Sequence, residues 1–373
     1  MISLPTSDDA RKSAKTKLPT LIFDFIDGAA GLEQAAQANT ADMDAIKLMP
    51  RVLRDVDIIQ SGTRFLGKDY SYPFGIAPMG MCNLAWPGTD LMFAGQAVKS
   101  RIPLCVSTAS STSLEEMLVA TDGLAWFQLY VTGSMDLVDD MIRRAETAGY
   151  ETLVLTVDVP KLGKRPRDLR NGFKTPFRMR PDQFLDFAMH PHWSLTTLLK
   201  GIPRMANYAA GPNSGGYDRT ASRKGANWDY LQRLRDRWKK KLVIKGILNP
   251  DDALRIKQAG ADAVYISNHG GRQLNSAPST IQSLAAIRQA VGPEYPLIID
   301  GGVRSGEDIV KCLAAGANFA MLGRPFLYAS AAKGSQGLDN FVGHLKDDIS
   351  ITLAQIGEID INQVSRANLA FRT

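Results

Sequence analysis

His269 and Arg272 lie three residues apart in Ser267-Asn268-His269-Gly270-Gly271-Arg272-Gln273, directly after the apolar run Ala263-Val264-Tyr265-Ile266. An imidazole can exchange a proton near neutral pH, and a guanidinium is a planar fork that grips a carboxylate. The glycines end the run by allowing backbone angles that other residues avoid. The pair points to acid–base chemistry on a carboxylate-bearing substrate, at the carboxyl end of a buried strand. Other strand-like runs end in residues of similar use: Gly80, Ser107, Gln128 with Tyr130, Thr156 with Asp158, Lys245, Asp300, and Gly323 with Arg324. Any one of them could be a turn cap, a solvated charge or a core residue. Together, at the ends of parallel strands, they would converge on one mouth. Gly301-Gly302-Val303-Arg304 and Gly323-Arg324 add glycine-exposed N–H groups and two guanidinium groups, which suggests a phosphate site. With Lys245, Gln128 and Thr156 inward of it, that site suits a phosphorylated cofactor whose ring crosses the mouth.

Positioning such a set requires a repeated strand–helix unit. Apolar strands are expected over 72–77, 103–107, 125–130, 152–158, 242–245, 263–267, 296–300 and 319–323, with connections long enough for crossover helices. The phrases Gln258-Ala259-Gly260-Ala261-Asp262-Ala263-Val264 and Ala314-Ala315-Gly316-Ala317-Asn318-Phe319-Ala320 echo one another as helix end followed by strand. The expected fold is α/β, a (β/α)8 TIM barrel with an N-terminal helical cap and a long insertion after strand 4. We expect a single domain over 1–373, the cap at 1–65 and the barrel at 66–373. Residues 10 to about 45 read as helical, with Leu21, Phe25 and Ile26 on one face and Gly28 as a stop. The insertion, about 178–241, far exceeds the usual loop length. Its middle is too apolar for a simple linker, with Phe184, Leu185, Phe187, Trp193, Leu195, Leu198, Leu199, Ile202 and Met205.

At 373 residues with 45% hydrophobic content, the chain can bury one large core. No apolar run approaches a spanning helix, and residues 1–17 are polar and charged, so the expected location is the cytoplasm. Cys82, Cys105 and Cys312 are far apart, without metal-ligand spacing, and read as small buried hydrophobes; no metal and no disulfide are expected. The net charge of +6 is unevenly spread. From Lys161 to Lys241 there are 19 Lys or Arg against 6 Asp, a local +13 that leaves −7 for the rest. Such a patch attracts anions: a membrane surface, a nucleic acid or small carboxylates.

The motifs Phe127-Gln128-Leu129-Tyr130, Thr156-Val157-Asp158, Lys245-Gly246, Ser267 through Leu274, Asp300-Gly301-Gly302-Val303-Arg304-Ser305-Gly306 and Leu322-Gly323-Arg324-Pro325 resemble the FMN-dependent α-hydroxy-acid dehydrogenases and oxidases. That family includes glycolate oxidase, L-lactate dehydrogenase and mandelate dehydrogenase. The resemblance runs from about residue 18 to 361, in order. It implies FMN as the cofactor, contacted by Pro78, Met79 and Gly80, with Ser107, Gln128, Thr156, Lys245 and Ser267 around the ring. Asp300, Gly302, Arg304, Gly323 and Arg324 would hold the ribityl phosphate. Arg165 and Arg272 would grip the substrate carboxylate, and Tyr130 would hydrogen-bond the substrate. His269 would take a proton while Asp158 orients it and steadies its imidazolium. The resemblance also implies a homo-oligomer, tetrameric in the family.

Three positions depart from the family pattern and shape the expected substrate. Phe25 stands where the family has a carboxylate-binding Tyr, and Ala109 where glycolate oxidase has Trp. Both make the pocket larger or less polar. Asn275 replaces an Asp after the Arg272-Gln273-Leu274 run. The expected activity is oxidation of an L-2-hydroxy acid with a bulky apolar side chain, mandelate-like, with electrons passing to a quinone or other acceptor. The alternatives are an L-lactate dehydrogenase, a peroxide-producing oxidase, a flavin-barrel isomerase and a non-enzymatic nucleic-acid binder; the catalytic set argues against the last, so no nucleic acid is expected. Met189-His190-Pro191-His192-Trp193-Ser194-Leu195 is similar to the insertion of the membrane-associated mandelate and lactate dehydrogenases. Apolar anchors flanked by bases suit an anionic membrane surface, so peripheral binding at the inner face of the cell membrane is expected; an active-site lid is the other reading of this segment.

Overall fold

The computed structural model describes residues 4–173, 180–209 and 225–370. Ten short strands are present among the described residues: β1 (Thr63–Phe65), β2 (Lys68–Tyr70), β3 (Phe74–Met79), β4 (Leu104–Ser107), β5 (Ala125–Tyr130), β6 (Thr152–Thr156), β7 (Lys241–Ile247), β8 (Ala263–Ile266), β9 (Leu297–Ile299) and β10 (Phe319–Leu322). Strands β3 to β10 pair in chain order, all parallel, and β10 closes on β3. All eight expected strands are there, each within a few residues of its expected ends. Their burial explains their sequences: β4, β6, β8, β9 and β10 are buried along their whole length, so they read as continuous apolar runs. The register places Ser107 beside Gln128, Tyr130 beside Thr156, and Thr156 beside Lys245. Polar residues at the strand ends therefore share one rim.

The antiparallel pair β1–β2 was not foreseen, and it straddles the expected cap–barrel boundary at 65. It packs Phe65 and Tyr70 against Trp126 and Phe319 in a buried cluster that also takes in Val154, Val243 and Ile298 from the barrel strands. The Trp126 indole donates to the Tyr70 hydroxyl at 3.1 Å, which satisfies the one polar group of that indole.

The N-terminal cap is three helices, Ser7–Lys17, Thr20–Asp27 and Gln34–Ala45, the second ending at Gly28 as expected. Pro19 separates the first two, and the backbone turns left-handed at Gly31 and Glu33 before the third. Buried Asp27 ties this cap together. It accepts from Arg11 at 2.6 Å, from Arg167 at 2.8 Å and from the Tyr328 hydroxyl at 2.6 Å. Burial alone would raise its carboxyl, but these partners outweigh it and hold Asp27 far below the usual carboxylate range.

The excursion after β6 divides into parts with different roles. Trp228–Arg237, inside the expected insertion, belongs to the ring of barrel helices: Tyr230, Leu231 and Leu234 are buried, and Arg235 pairs with Asp262 at 2.9 Å. Pro181–Met189 and Pro191–Lys200 form a helical hairpin. It buries Phe187 and Trp193, whose indole donates to the Leu84 carbonyl at 2.9 Å. Phe184, Leu185, Leu195, Leu198, Leu199 and Ile202 stay between 55% and 86% exposed. Several of the bases behind the local positive excess, among them Lys174, Arg178, Arg219, Arg223 and Lys224, lie outside the described residues. No helix among the described residues is long and apolar enough to cross a membrane. Cys82, Cys105 and Cys312 are buried thiols.

Candidate active site

His269 follows β8 on a short 3-10 turn, with φ at +59°, a left-handed conformation uncommon for a residue with a side chain. Three contacts hold the turn there. The His269 N–H donates to Ser267 Oγ at 3.0 Å, and the Gly271 N–H donates to the Asn268 side chain at 3.0 Å. Asn268 also exchanges two 2.8 Å amide hydrogen bonds with buried Asn39 of the cap helix Gln34–Ala45. The histidine's backbone is thus fixed from the cap as well as from the barrel. Asn39 carries no local sequence signal, and sequence reasoning missed it.

The imidazole is fixed on both nitrogens. Nδ1 lies 3.0 Å from Asp158 Oδ1, and Nε2 lies 3.3 Å from the Tyr130 hydroxyl. A carboxylate only accepts, so Nδ1 carries the hydrogen and Nε2 presents a lone pair. Burial, opposed by Asp158 and reinforced by Lys245 and Arg165, holds the imidazole below its ordinary value. Burial would raise the Asp158 carboxyl, but His269 and Lys245 outweigh it and keep Asp158 ionised. Gly246 makes this pair possible: a Cβ there would come within 2.5 Å of the Asp158 side chain, and its φ is +103°. The Lys245-Gly246 dipeptide therefore supplies an ammonium and room for the carboxylate behind the imidazole.

Lys245 is buried, donates to Ser267 Oγ at 2.8 Å and sits 3.3 Å from Asp300 Oδ2. Arg165, Arg272, Arg304 and Arg324 enter the same cavity, together with Pro78, Met79, Gly80, Ser107, Gly302 and Gly323. Arg272 donates to the Gly28 carbonyl at 2.6 Å, and Arg324 to those of Ile26, Gly28 and Gly270 at 2.9–3.1 Å. The Ile26 and Gly28 carbonyls lie at the carboxyl end of the helix Thr20–Asp27, where cations are favoured. Arg304 is held below the ordinary arginine range by burial and by the like charge of Arg324, which favours an anion beside them. Gln128, Thr156 and Ser267 are buried at the same rim.

One wall is apolar. Phe25 and Phe173 stack with ring centres 4.2 Å apart and planes 10° apart, and the Arg272 guanidinium lies 5.4 Å over the Phe25 ring. Ala109, Leu162 and Met205 line the cavity beside them. Phe173, Leu162 and Met205 come from the long connection after β6 and were not singled out for the site. Met205 precedes the short helix Ala206–Ala209, whose buried Asn207 accepts from the Leu114 N–H at 2.8 Å and donates to the carbonyls of Ser107 and Thr108 at 3.3–3.4 Å. The insertion therefore supplies part of the pocket. Asn275 serves the cap: its side-chain oxygen accepts from the Gln34 N–H at 3.2 Å, at the start of a helix, where a neutral amide suffices.

The donor set fits FMN. Gln128 Nε2, Thr156 Oγ1 and Asp300 Oδ1 are buried without a hydrogen-bond partner among the described residues, and their polarity matches the nitrogen- and oxygen-rich edge of a flavin and its ribityl hydroxyls. The arginine and glycine cluster matches a phosphate.

A barrel rim that joins glycines and guanidinium groups to a carboxylate-backed histidine, with buried polar groups that suit FMN, fits a flavin-dependent oxidoreductase. The chain belongs to the FMN-dependent dehydrogenase family, whose model matches residues 14–371. (S)-mandelate dehydrogenase of Pseudomonas putida is 41% identical over 363 residues, covering 96% of this chain and 92% of that protein. L-lactate dehydrogenase of Pseudomonas syringae pv. syringae (strain B728a) is 35% identical over 379 residues, covering 98% of each. The crystal structure of the monotopic membrane protein (S)-mandelate dehydrogenase superposes with a TM-score of 0.93 at 39% identity, covering 98% of this chain and 99% of that one. The protein is thus an FMN-dependent 2-hydroxy-acid dehydrogenase by family, with the barrel fold and cofactor that the sequence motifs imply.

Proposed function

We propose that the protein oxidises an (S)-2-hydroxy acid with an aromatic or other bulky apolar side chain to the 2-oxo acid and passes the electrons to a membrane quinone. The observation that carries the substrate class is the stacked Phe25–Phe173 wall beside Ala109, next to the arginines and His269. Bound FMN supplies the two-electron acceptor. Arg165 and Arg272 hold the substrate carboxylate, and the aryl group lies against the phenylalanine wall. Tyr130 hydrogen-bonds the substrate and His269 Nε2 takes a proton from it. Asp158 steadies the resulting imidazolium through Nδ1. Lys245 would sit beside the ring, where an ammonium favours negative charge. Arg304, Arg324 and the glycines at 302 and 323 hold the phosphate. A carboxylate is a poor neighbour for phosphate, so we assign Asp300, next to Lys245, to a ribityl hydroxyl. Pro78 to Gly80, Ser107, Gln128, Thr156 and Ser267 frame the ring. We treat cap and barrel as one catalytic domain, because carbonyls of the cap receive Arg272 and Arg324.

The test is kcat/KM for mandelate, lactate and glycolate with an artificial dye acceptor. Mandelate is expected to lead and glycolate to trail. Lactate or glycolate in first place contradicts the pocket reading.

The pH dependence follows from His269. An imidazole held below its ordinary value of 6.5 is unprotonated at neutral pH and gains a proton only as pH falls further. Log kcat/KM should therefore be level near neutrality and decline on the acid side below 6.5. An acid limb centred above that value would contradict the downward shift of His269.

The exposed apolar face of the hairpin supports peripheral membrane binding. Phe187 and Trp193 are buried against the protein, so the bilayer would meet Phe184, Leu185, Leu195, Leu198 and Leu199. Each fully buried leucine is worth about 1.5–3 kcal/mol. Replacing Leu195, Leu198 and Leu199 by Ser should abolish flotation with anionic liposomes and leave dye-linked turnover intact. Unchanged flotation would refute the membrane role of this face.

A further inference from the structure

A second cavity, about 570 Å³, lies between the first helix, the turn of the hairpin and the long C-terminal helix Arg324–Ile356. Its walls include Lys17, Trp86, Met189, His190, His192 and Lys333. We propose that this cavity binds the ring of the quinone that reoxidises the enzyme. The proposal rests on the quinone acceptor assigned above and gives that acceptor a place.

Four observations support it. The first is an aromatic wall: Trp86 and His192 stack with ring centres 4.9 Å apart and planes 20° apart, a surface on which a planar ring can continue the stack. The second is a set of donors for carbonyl oxygens. Lys17 and Lys333 bring ammonium groups, and Lys17 already donates to the Ala332 carbonyl at a break in the long helix, where Gly334 has φ +56°. Burial and the like charge of Lys333 pull the Lys17 ammonium down, so an acceptor oxygen beside it would be favourable. His190 donates from Nδ1 to the Asp186 carbonyl at 2.7 Å, which leaves Nε2 as an acceptor for a hydroxyl of the reduced ring.

The third observation is access from lipid. Met189 belongs both to the cavity wall and to the exposed apolar surface of the hairpin, at 64% exposure. A hydrocarbon tail could lie on that surface while its head group enters the cavity. The fourth is proximity to the flavin site. Ala85 and Leu327 line the active-site cavity, while Trp86 and Ala331 line this one. Trp86 follows Ala85 directly, and Ala331 lies four residues beyond Leu327 on one helix, an axial rise of about 6 Å. A lipid phosphate would use the cations, but it has no need of the stacked rings or of the neighbouring active site.

The redox balance is complete without another reagent. Two electrons and two protons leave the hydroxy acid, and the same number convert the two quinone carbonyls to hydroxyls. The electrons travel by way of the bound flavin, and the protons exchange through His269, solvent and the cavity's imidazoles.

The experiment uses flavin-loaded protein reduced anaerobically with dithionite, so that it is independent of the hydroxy acid. Return of the oxidised flavin band is followed after mixing with a 1,4-benzoquinone carrying a decyl tail, and separately with ferricyanide as a small acceptor that needs no stacked site. Trp86→Ala and, for a milder change, Lys17→Met should each slow reoxidation by the quinone about tenfold, the scale of a lost stacking or charged contact, while the ferricyanide rate holds. A photoreactive azidobenzoquinone should label the turn at Met189 to His192, and the decyl quinone should protect it. Wild-type protein that quinone cannot reoxidise overturns the acceptor reading itself, and this site with it. Wild-type protein that quinone reoxidises, with both variants unaffected or the label elsewhere, overturns the site alone. Variants that alter liposome binding but not the quinone rate would make this a lipid-headgroup site and also overturn the proposal.

Discussion

His269→Gln should retain its FMN and lose about 10²- to 10⁴-fold in turnover, the contribution of a positioned base. Glutamine can still donate toward Asp158, so the buried carboxylate keeps a partner and the fold should survive. What it lacks is a lone pair of suitable basicity at the position of Nε2, 3.3 Å from the Tyr130 hydroxyl. Of the flavin contacts assigned here only Ser267 shares the end of β8, and it meets the backbone N–H of His269 rather than its side chain, so the visible spectrum of the oxidised variant should match that of the parent. A variant with near-normal turnover would reject the assignment, and a colourless one would show that His269 supports the cofactor site rather than the proton transfer. Because a base that must be unprotonated also shapes the acid limb of kcat/KM, any residual activity of this variant should lose that limb.

Ala109→Trp should reverse the substrate order. Ala109 is buried at the cavity wall, and its Cβ lies 2.8 Å from where a side chain on Gly80 would begin, so the two small residues together leave the space. An indole there would occupy the region next to the Phe25–Phe173 stack. Pockets discriminate by about 10–200-fold per methylene of misfit, so the kcat/KM for mandelate should fall by about 10²-fold or more. Glycolate, which has no side chain to obstruct, should keep or improve its value and become the better substrate. Retained flavin and glycolate turnover would separate this steric effect from misfolding by overpacking. If mandelate still leads, the aryl group lies elsewhere.

The barrel was legible because its strands are buried on both faces and punctuated by Gly and Pro, so each is a short apolar run ending in a polar residue. The rim was legible for the same reason: Lys245, His269 and Asp300 stand where apolar runs stop. The β1–β2 pair escaped notice because strands of three residues carry too little periodicity, although Phe65 and Tyr70 pack into the buried cluster with barrel-strand residues. In the cap, Gly28 was legible as a stop and ends the helix Thr20–Asp27, whereas the break at Pro19 interrupts the pattern without changing its composition. In the insertion, composition showed apolar residues but not their direction. Trp193 faces inward because its indole finds the Leu84 carbonyl, a contact 109 residues away in sequence, while Leu198 and Leu199 stay exposed among the described residues. Phe173, Met205, Asn39 and Asn207 act through contacts of this long-range kind, and no local spacing announces them.

The most direct test of the central claim is an anaerobic titration of the purified yellow protein with (S)-mandelate, followed in the visible spectrum. Substoichiometric additions should bleach the oxidised flavin band in proportion to the acid added, an equivalent amount of the 2-oxo acid should form, and glycolate at the same concentration should bleach the band far more slowly. A flavin that stays oxidised in the presence of mandelate while lactate or glycolate reduces it would contradict the account.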